Sequence, residues 1–312
     1  MSTNNLVLPL VDLTGYTRPG SPGDKERVIA QVCDACRQYG FLQVKGHGVP
    51  LGAQQSLLKS IDKFFKLPEE EKIKLSFLQN PCRRGYEASG MSIRDGDALP
   101  DSKEAFYVGR EDSVVELPGF YGPNVWPDLP NEDFRDPVWE YYNKTEQLGR
   151  TIWEILLQGL GHPPSVLNKF AQRPMVMMKM IRYPPASATL PSQFGVGAHT
   201  DFGGITALLQ QPDREGLEVW HEEQEAWLPV PSREDVFIIN CGDIVQRWSG
   251  DVYKSARHRV INKAEAERLS CATFWHGDAG ATNPLDPQEP DDATVGQLLV
   301  KRFRNQFSLG KV

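Results

Sequence analysis

The sequence predicts a mixed α and β fold in which helices flank a core of short strands, a sandwich or jelly roll. Three observations carry this reading. Apolar residues recur at helical spacing within 24–39 and again from Val138 to Leu156. From Met175 to Phe274 the pattern changes to short β-type runs separated by turn residues. No repeat, low-complexity tract or linker lies between the two patterns, so residues 1–312 read as a single domain. Within it, 1–130 form a helical and looped region whose strands join the core. Residues 175–280 form the core itself, and 290–312 a C-terminal helix.

The elements follow in order. Leu8–Leu13 is a short strand, and Asp24–Tyr39 is a helix ended by Gly40. Phe41–Val44 alternates like a strand before the turn Gly46-His-Gly48, and Leu57–Phe65 is a second helix stopped at Leu67-Pro68. The run Glu69-Glu-Glu-Lys72 reads as a solvated helix start. Residues 81–130 are rich in Gly, Pro, Asp and Ser and read as long loops, a common source of lids. Asp136-Pro137 supplies an N-cap with proline at N1 for a long helix reaching Gly159. Strands are expected at Met175–Tyr183, Gly216–His221, Val236–Asn240 and Leu269–Trp275, with a last helix over Thr294–Phe307.

Composition narrows the function. The net charge of −7 disfavours nucleic acid and anionic membrane as partners, because both repel an acidic protein. No apolar run approaches the roughly 20 residues of a membrane span. The polar Met1–Leu6 start does not resemble a secretory leader. Five cysteines give an odd count and no disulfide framework, which together point to a cytoplasmic protein. Cys33 and Cys36 form a CxxC, but it lies on a helix face and lacks the second pair a zinc site needs. The two are read as half-buried helix thiols.

The chemistry concentrates in a few residues. In a strand, i and i+2 share a face, so His199 and Asp201 can point together at one metal. Alternation in Tyr253–Ile261 turns His258 inward, with Ala256 and Val260. Two imidazoles and a carboxylate favour a non-heme Fe(II) centre that activates O2, with zinc hydrolysis as an alternative use of the same set. Arg268 and Ser270 share an inward face with Ala272 and Phe274, and guanidinium plus hydroxyl can grip a carboxylate. Tyr183 can add a hydroxyl to that anion. Lys179, on the face of Tyr183, is read either as a substrate contact or as an exposed lysine. Phe202 and Phe274 wall a substrate pocket or simply pack the core, and Arg84 and Tyr86 belong to a candidate lid. His47, His162 and His221 lie in turn-like contexts, and His276-Gly-Asp278 reads as loop.

These residues resemble, nearly from end to end, the Fe(II)/2-oxoglutarate-dependent dioxygenases of the isopenicillin N synthase-like family. The resemblance lies in His199-Thr-Asp-Phe-Gly-Gly-Ile-Thr206, Asn240-Cys-Gly-Asp243, Tyr253-Lys-Ser255, His258-Arg-Val260 and Arg268-Leu-Ser270. It extends to Phe64-Phe-Lys-Leu-Pro68, Lys103-Glu104 and Asn124-Val-Trp-Pro127. Arg84-Gly-Tyr86 and Phe106–Asp112 look like fungal members, including thymine-hydroxylating ones. The resemblance implies a double-stranded β-helix (jelly-roll) core flanked by helices. It also implies Fe(II) held by His199, Asp201 and His258, and 2-oxoglutarate clamped by Arg268 and Ser270. The implied reaction uses O2 to hydroxylate a C–H bond of a small organic molecule, in secondary metabolism or on a pyrimidine-like substrate, with release of succinate and CO2. Plant relatives carry asparagine where this chain has Ile181, which removes a polar group from that position. Two other readings stand beside it: an Fe(II) oxidase of the same fold that uses no keto acid, and a non-catalytic small-molecule binding protein.

Overall fold

In a computed structural model, residues 7–94, 96–112, 120–285 and 293–306 are described, with side chains through Arg302. Met1–Leu6 and the ends of the expected terminal helix, 290–292 and 307–312, lie outside these residues. The amino-terminal half contributes β1 (Leu10–Asp12), α1 (Thr14–Thr17), α2 (Asp24–Gln38), β2 (Phe41–Lys45), α3 (Leu51–Phe65) and α4 (Glu69–Ile73). Next come β3 (Gly85–Glu87), β4 (Glu104–Gly109) and the long α5 (Arg135–Gly159). The remainder supplies β5 (Val176–Tyr183), β6 (Val196–His199), β7 (Ile205–Gln210), β8 (Leu217–His221) and β9 (Ala226–Pro229). It closes with β10 (Phe237–Cys241), α6 (Asp243–Trp248), β11 (His258–Val260), β12 (Arg268–Trp275) and α7 (Val295–Gln306).

The strands form two sheets. One has eight strands in the order β1-β2-β10-β7-β12-β5-β4-β3, and the other has four, β6-β11-β8-β9. Every pairing is antiparallel except β1 with β2. A mixed α and β protein with a jelly-roll core is the architecture that the β-rich second half predicts.

Period-2 alternation divides the large sheet into an outer and an inner face. Val176, Met178 and Met180 of β5 pack in the cluster shared with the helices, as do Cys271 and Trp275 of β12 and Ile239 of β10. Val32 and Cys36 of α2 and Ile152 and Leu156 of α5 meet them there. The intervening residues Met177, Ile181, Tyr183 and Ile238 join Val196, Val219 and Val260 of the small sheet in a second cluster. The interior between the sheets is therefore lined by every other residue of each strand, and the functional side chains occupy this second set.

Local details differ from the sequence expectation for physical reasons. Gly40 ends α2 with φ +66, where a Cβ would lie 2.4 Å from the Lys254 carbonyl oxygen. α3 begins six residues early, at Leu51, because Pro50 sets its entry. α5 starts at Arg135, so Asp136 and Pro137 lie in its first turn and Phe134 takes the cap position. Residues 81–130 contain β3 and β4, whose side chains are buried on both faces; the absence of alternation hides them from a pattern search. Lys72 is enclosed, not solvated, and pairs with Glu104 at 2.7 Å and Glu69 at 2.9 Å. Cys33 and Cys36 are fully buried, and all five cysteines are free. Among the described residues no helix is long and apolar enough to cross a membrane.

Candidate active site

β6 and β11 pair so that His199 and His258 are direct partners. Their ring centroids stand 4.2 Å apart. Asp201 reaches the same place by a route other than strand alternation. β6 ends at His199, and Asp201 lies in the loop beyond it, where its carbonyl oxygen accepts the Asp243 N–H at 2.7 Å. Its Oδ1 lies 3.7 Å from His199 Nε2 and 3.8 Å from His258 Nε2. One ligand atom from each of the three falls within 4.8 Å of the other two.

Each of the three is oriented by a neighbour. His199 Nδ1 meets the Gly197 carbonyl at 2.8 Å, and His258 Nδ1 the Ala256 carbonyl at 3.3 Å. A carbonyl can only accept, so both Nδ1 atoms carry the proton and both Nε2 lone pairs face Asp201. Asp201 Oδ2 accepts Thr206 Oγ1–H at 2.6 Å and Asn240 Nδ2–H at 2.8 Å, which leaves Oδ1 turned to the histidines. Burial, reinforced by Arg94 and His258, holds His199 well below the usual imidazole range, in the neutral form a metal requires. Two imidazole lone pairs and one carboxylate oxygen converging in this way fit a divalent metal.

A cavity of about 120 Å³ opens over this group. Its walls are largely apolar, with Phe41, Phe202 and Phe274 among them, and Tyr183 and Lys179 also line it. Arg268 and Ser270 lie beside the cavity; their strand partners Tyr183 and Ile181 form its surface. Arg268 is 1% exposed, and its guanidinium sits 4.8 Å from the Tyr183 ring centre. It donates to Gln210 Oε1 at 2.9 Å and to the Arg214 carbonyl at 3.2 Å. Among the described residues no carboxylate pairs with it, and both its Nη1 and Ser270 Oγ are buried without a partner. An isolated buried cation is costly, so this pair fits an anionic ligand that supplies the missing acceptors.

Arg84 and Tyr86 are not at the cavity, which corrects their place as lid and pocket residues. Arg84 donates to the Cys82 and Phe120 carbonyls at 2.8 and 2.7 Å, tying loop to loop. The Tyr86 hydroxyl donates to Glu104 at 2.6 Å, away from the cavity. Lys179 is buried at 8% exposure, so the exposed alternative is also corrected. His276 is no mere loop residue: it lines the cavity, and Gly203 owes its identity to it, since a Cβ there would fall 2.0 Å from His276 Nδ1. Sequence reasoning missed Thr206 and Asn240 as supports. Their signal was a polar residue at an inward position of an otherwise apolar strand.

A profile described as the 2OG-Fe(II) oxygenase superfamily matches residues 172–277, the stretch holding the three converging side chains and Arg268. The chain belongs to that superfamily. A second profile, the non-haem dioxygenase in morphine synthesis N-terminal region, matches residues 8–129. The 2-oxoglutarate-dependent dioxygenase thnC of Trichoderma harzianum is 66% identical over all of this chain and 97% of its own length. The 2-oxoglutarate-dependent dioxygenase caaD of Aspergillus niger is 47% identical over 99% and 96%. Among solved structures, a full-length Neurospora crassa protein in complex with alpha-KG superposes with a TM-score of 0.84 at 25% identity, covering 98% of both chains. Fe(II), 2-oxoglutarate and O2 are the cofactor and cosubstrates of the superfamily, and its members of this kind are oxidoreductases.

Proposed function

We propose that this 2-oxoglutarate-dependent dioxygenase hydroxylates a C–H bond of a small organic molecule, with iron held by His199, Asp201 and His258. The observation that carries the assignment is the convergence of two Nε2 lone pairs and Asp201 Oδ1, each fixed from behind by its own hydrogen bond. Arg268 and Ser270 receive the far carboxylate of 2-oxoglutarate, and Tyr183 closes over the same end. Nη1 of the arginine and Oγ of the serine then gain the acceptor each lacks. Tyr183 and Ile181, the strand partners of this pair, form the surface between it and the cavity.

When bound, iron and 2-oxoglutarate supply the oxidising power, consuming O2 and releasing succinate and CO2. The chain supplies placement. Thr206 and Asn240 hold Asp201 in one rotamer, the Gly197 and Ala256 carbonyls keep the Nε2 atoms of both histidines forward, and Phe202 and Phe274 keep water from the oxidised carbon. Residues 1–312 act as one domain, with 175–280 as the catalytic core. The net charge of −7 supports an enzyme of small molecules rather than one acting on nucleic acid, and five free cysteines fit a cytoplasmic location. The similarity to fungal dioxygenases such as caaD and to the clavatol oxidase claD of Penicillium crustosum, 33% identical over 99% of both chains, supports a place in fungal secondary metabolism.

The test is a screen of small molecules for substrate-stimulated succinate release, followed by mass analysis. Succinate in step with a product heavier by one oxygen atom is expected. Product formation without succinate identifies an oxidase that takes all its electrons from the substrate, and overturns the proposal.

A further inference from the structure

A buried ionic cluster at the cavity edge has no task in the reading above. Glu87 on β3 is fully enclosed. Its Oε1 pairs with Lys103, while its Oε2 accepts the Tyr107 hydroxyl at 2.5 Å and faces the Lys179 ammonium at 3.2 Å. Two cations therefore share one anion, and one positive charge is left over. Of the two lysines, Lys179 is the one on the cavity wall. Among the described residues its other contact is the face of Tyr107, 5.0 Å away. An ammonium has three donors, so Lys179 can donate to another oxygen. Arg94 also lines the cavity, but it already faces acids of its own, Asp101 at 3.8 Å and the neighbouring Asp97.

Position separates Lys179 from the Arg268–Ser270 pair. The interior residues of β5 run Met177, Lys179, Ile181, Tyr183, and Tyr183 is the strand partner of Arg268. Four residues of strand, about 13 Å, lie between Lys179 and that end. Around Lys179 the walls are Met177, Tyr107 and Phe274. Aromatic walls receive a flat ring well, and a cation at their edge selects the charge it carries. Burial pushes the ammonium down to about 7 against the pull of Glu87, the mark of a cation its surroundings compensate only in part.

We propose that Lys179 anchors an anionic oxygen of the substrate, so that the molecule oxidised is a small, mostly apolar ring compound carrying a carboxylate or an ionised phenol. This rests on the iron and 2-oxoglutarate reading, because a filled clamp leaves Lys179 as the unmatched cation of the cavity. The test measures binding, by calorimetry without O2, to enzyme saturated with Fe(II) and 2-oxoglutarate. The probes are benzoate with its neutral twin benzamide, and 4-nitrophenolate with 4-nitroanisole. At least one anion is expected to bind tenfold or more tightly than its twin, and which pair responds names the acid. Lys179→Met should remove the preference and Lys179→Arg should restore it. Equal binding of both twins in the wild type, or a preference that survives in Lys179→Met, overturns the anchor. A wild type that fails to bind 2-oxoglutarate at all overturns the reading beneath it instead.

Discussion

Arg268 and Ser270, two residues apart on β12, each keep a polar side-chain atom buried without a partner. Strand alternation puts both on the inner face, and Gln210 with the Arg214 carbonyl fixes the guanidinium without neutralising it. The pair is thus held ready for an anion that the protein itself does not supply. Arg268→Ala should raise the apparent requirement for 2-oxoglutarate at least tenfold, since a charged hydrogen bond contributes about 1.5–3 kcal/mol. Ser270→Ala should act in the same direction and more weakly. Steady-state titration of the keto acid checks both, and an unchanged requirement in Arg268→Ala dismisses the clamp.

Asn240 and Thr206 act on the metal through Asp201. Removing a partner that orients a ligand typically costs about 10–100-fold in metal affinity. Asn240→Ala should therefore weaken Mn(II) binding by about that factor while the protein stays folded. Equilibrium dialysis with Mn(II) gives the answer, and wild-type affinity in the variant would remove Asn240 from the account.

His276 predicts a dependence of stability on pH. Burial lowers its imidazole from the ordinary 6.5 to about 4. Between those values the unfolded chain binds a proton that the folded chain refuses, so stability present above pH 6.5 is lost as the pH falls toward 4. From pH 7 to pH 5 this amounts to about 2 kcal/mol. Urea unfolding at the two pH values should show a smaller loss in His276→Gln than in the wild type. Parallel losses would show that His276 carries no such penalty.

Glu87 is the one anion between Lys103 and Lys179. Glu87→Gln leaves both lysines buried without a counter-charge, and breaking such a set costs about 3–5 kcal/mol. Chemical denaturation should register a loss of that size, and a change under about 1 kcal/mol would mean that the lysines find other compensation.

Much of this site was legible in the sequence because alternation and spacing are local. β5, β12, α2 and α5 follow from periodicity, and the inward placement of Lys179, Tyr183, Arg268, Ser270 and Phe274 follows from counting by two. What escaped depends on contacts distant in sequence. β3 and β4 are sandwiched between the interior and the helices, and their charged members Glu87 and Glu104 are paired internally, so they read as solvated loop. Arg84 and Tyr86 looked free for the same reason, though their partners lie on Phe120 and Glu104. Asp201 reached its place beside His199 through the loop after β6, held by Thr206 and Asn240, not through the strand geometry that first suggested it.

The most direct test of the iron assignment is optical. Fe(II) and 2-oxoglutarate added without O2 should give the wild-type protein the weak visible charge-transfer band of the keto acid chelated to iron. His199→Ala, folded by circular dichroism, should give none. A band of equal strength in that variant, or no band in the wild type, would contradict the three-residue iron site.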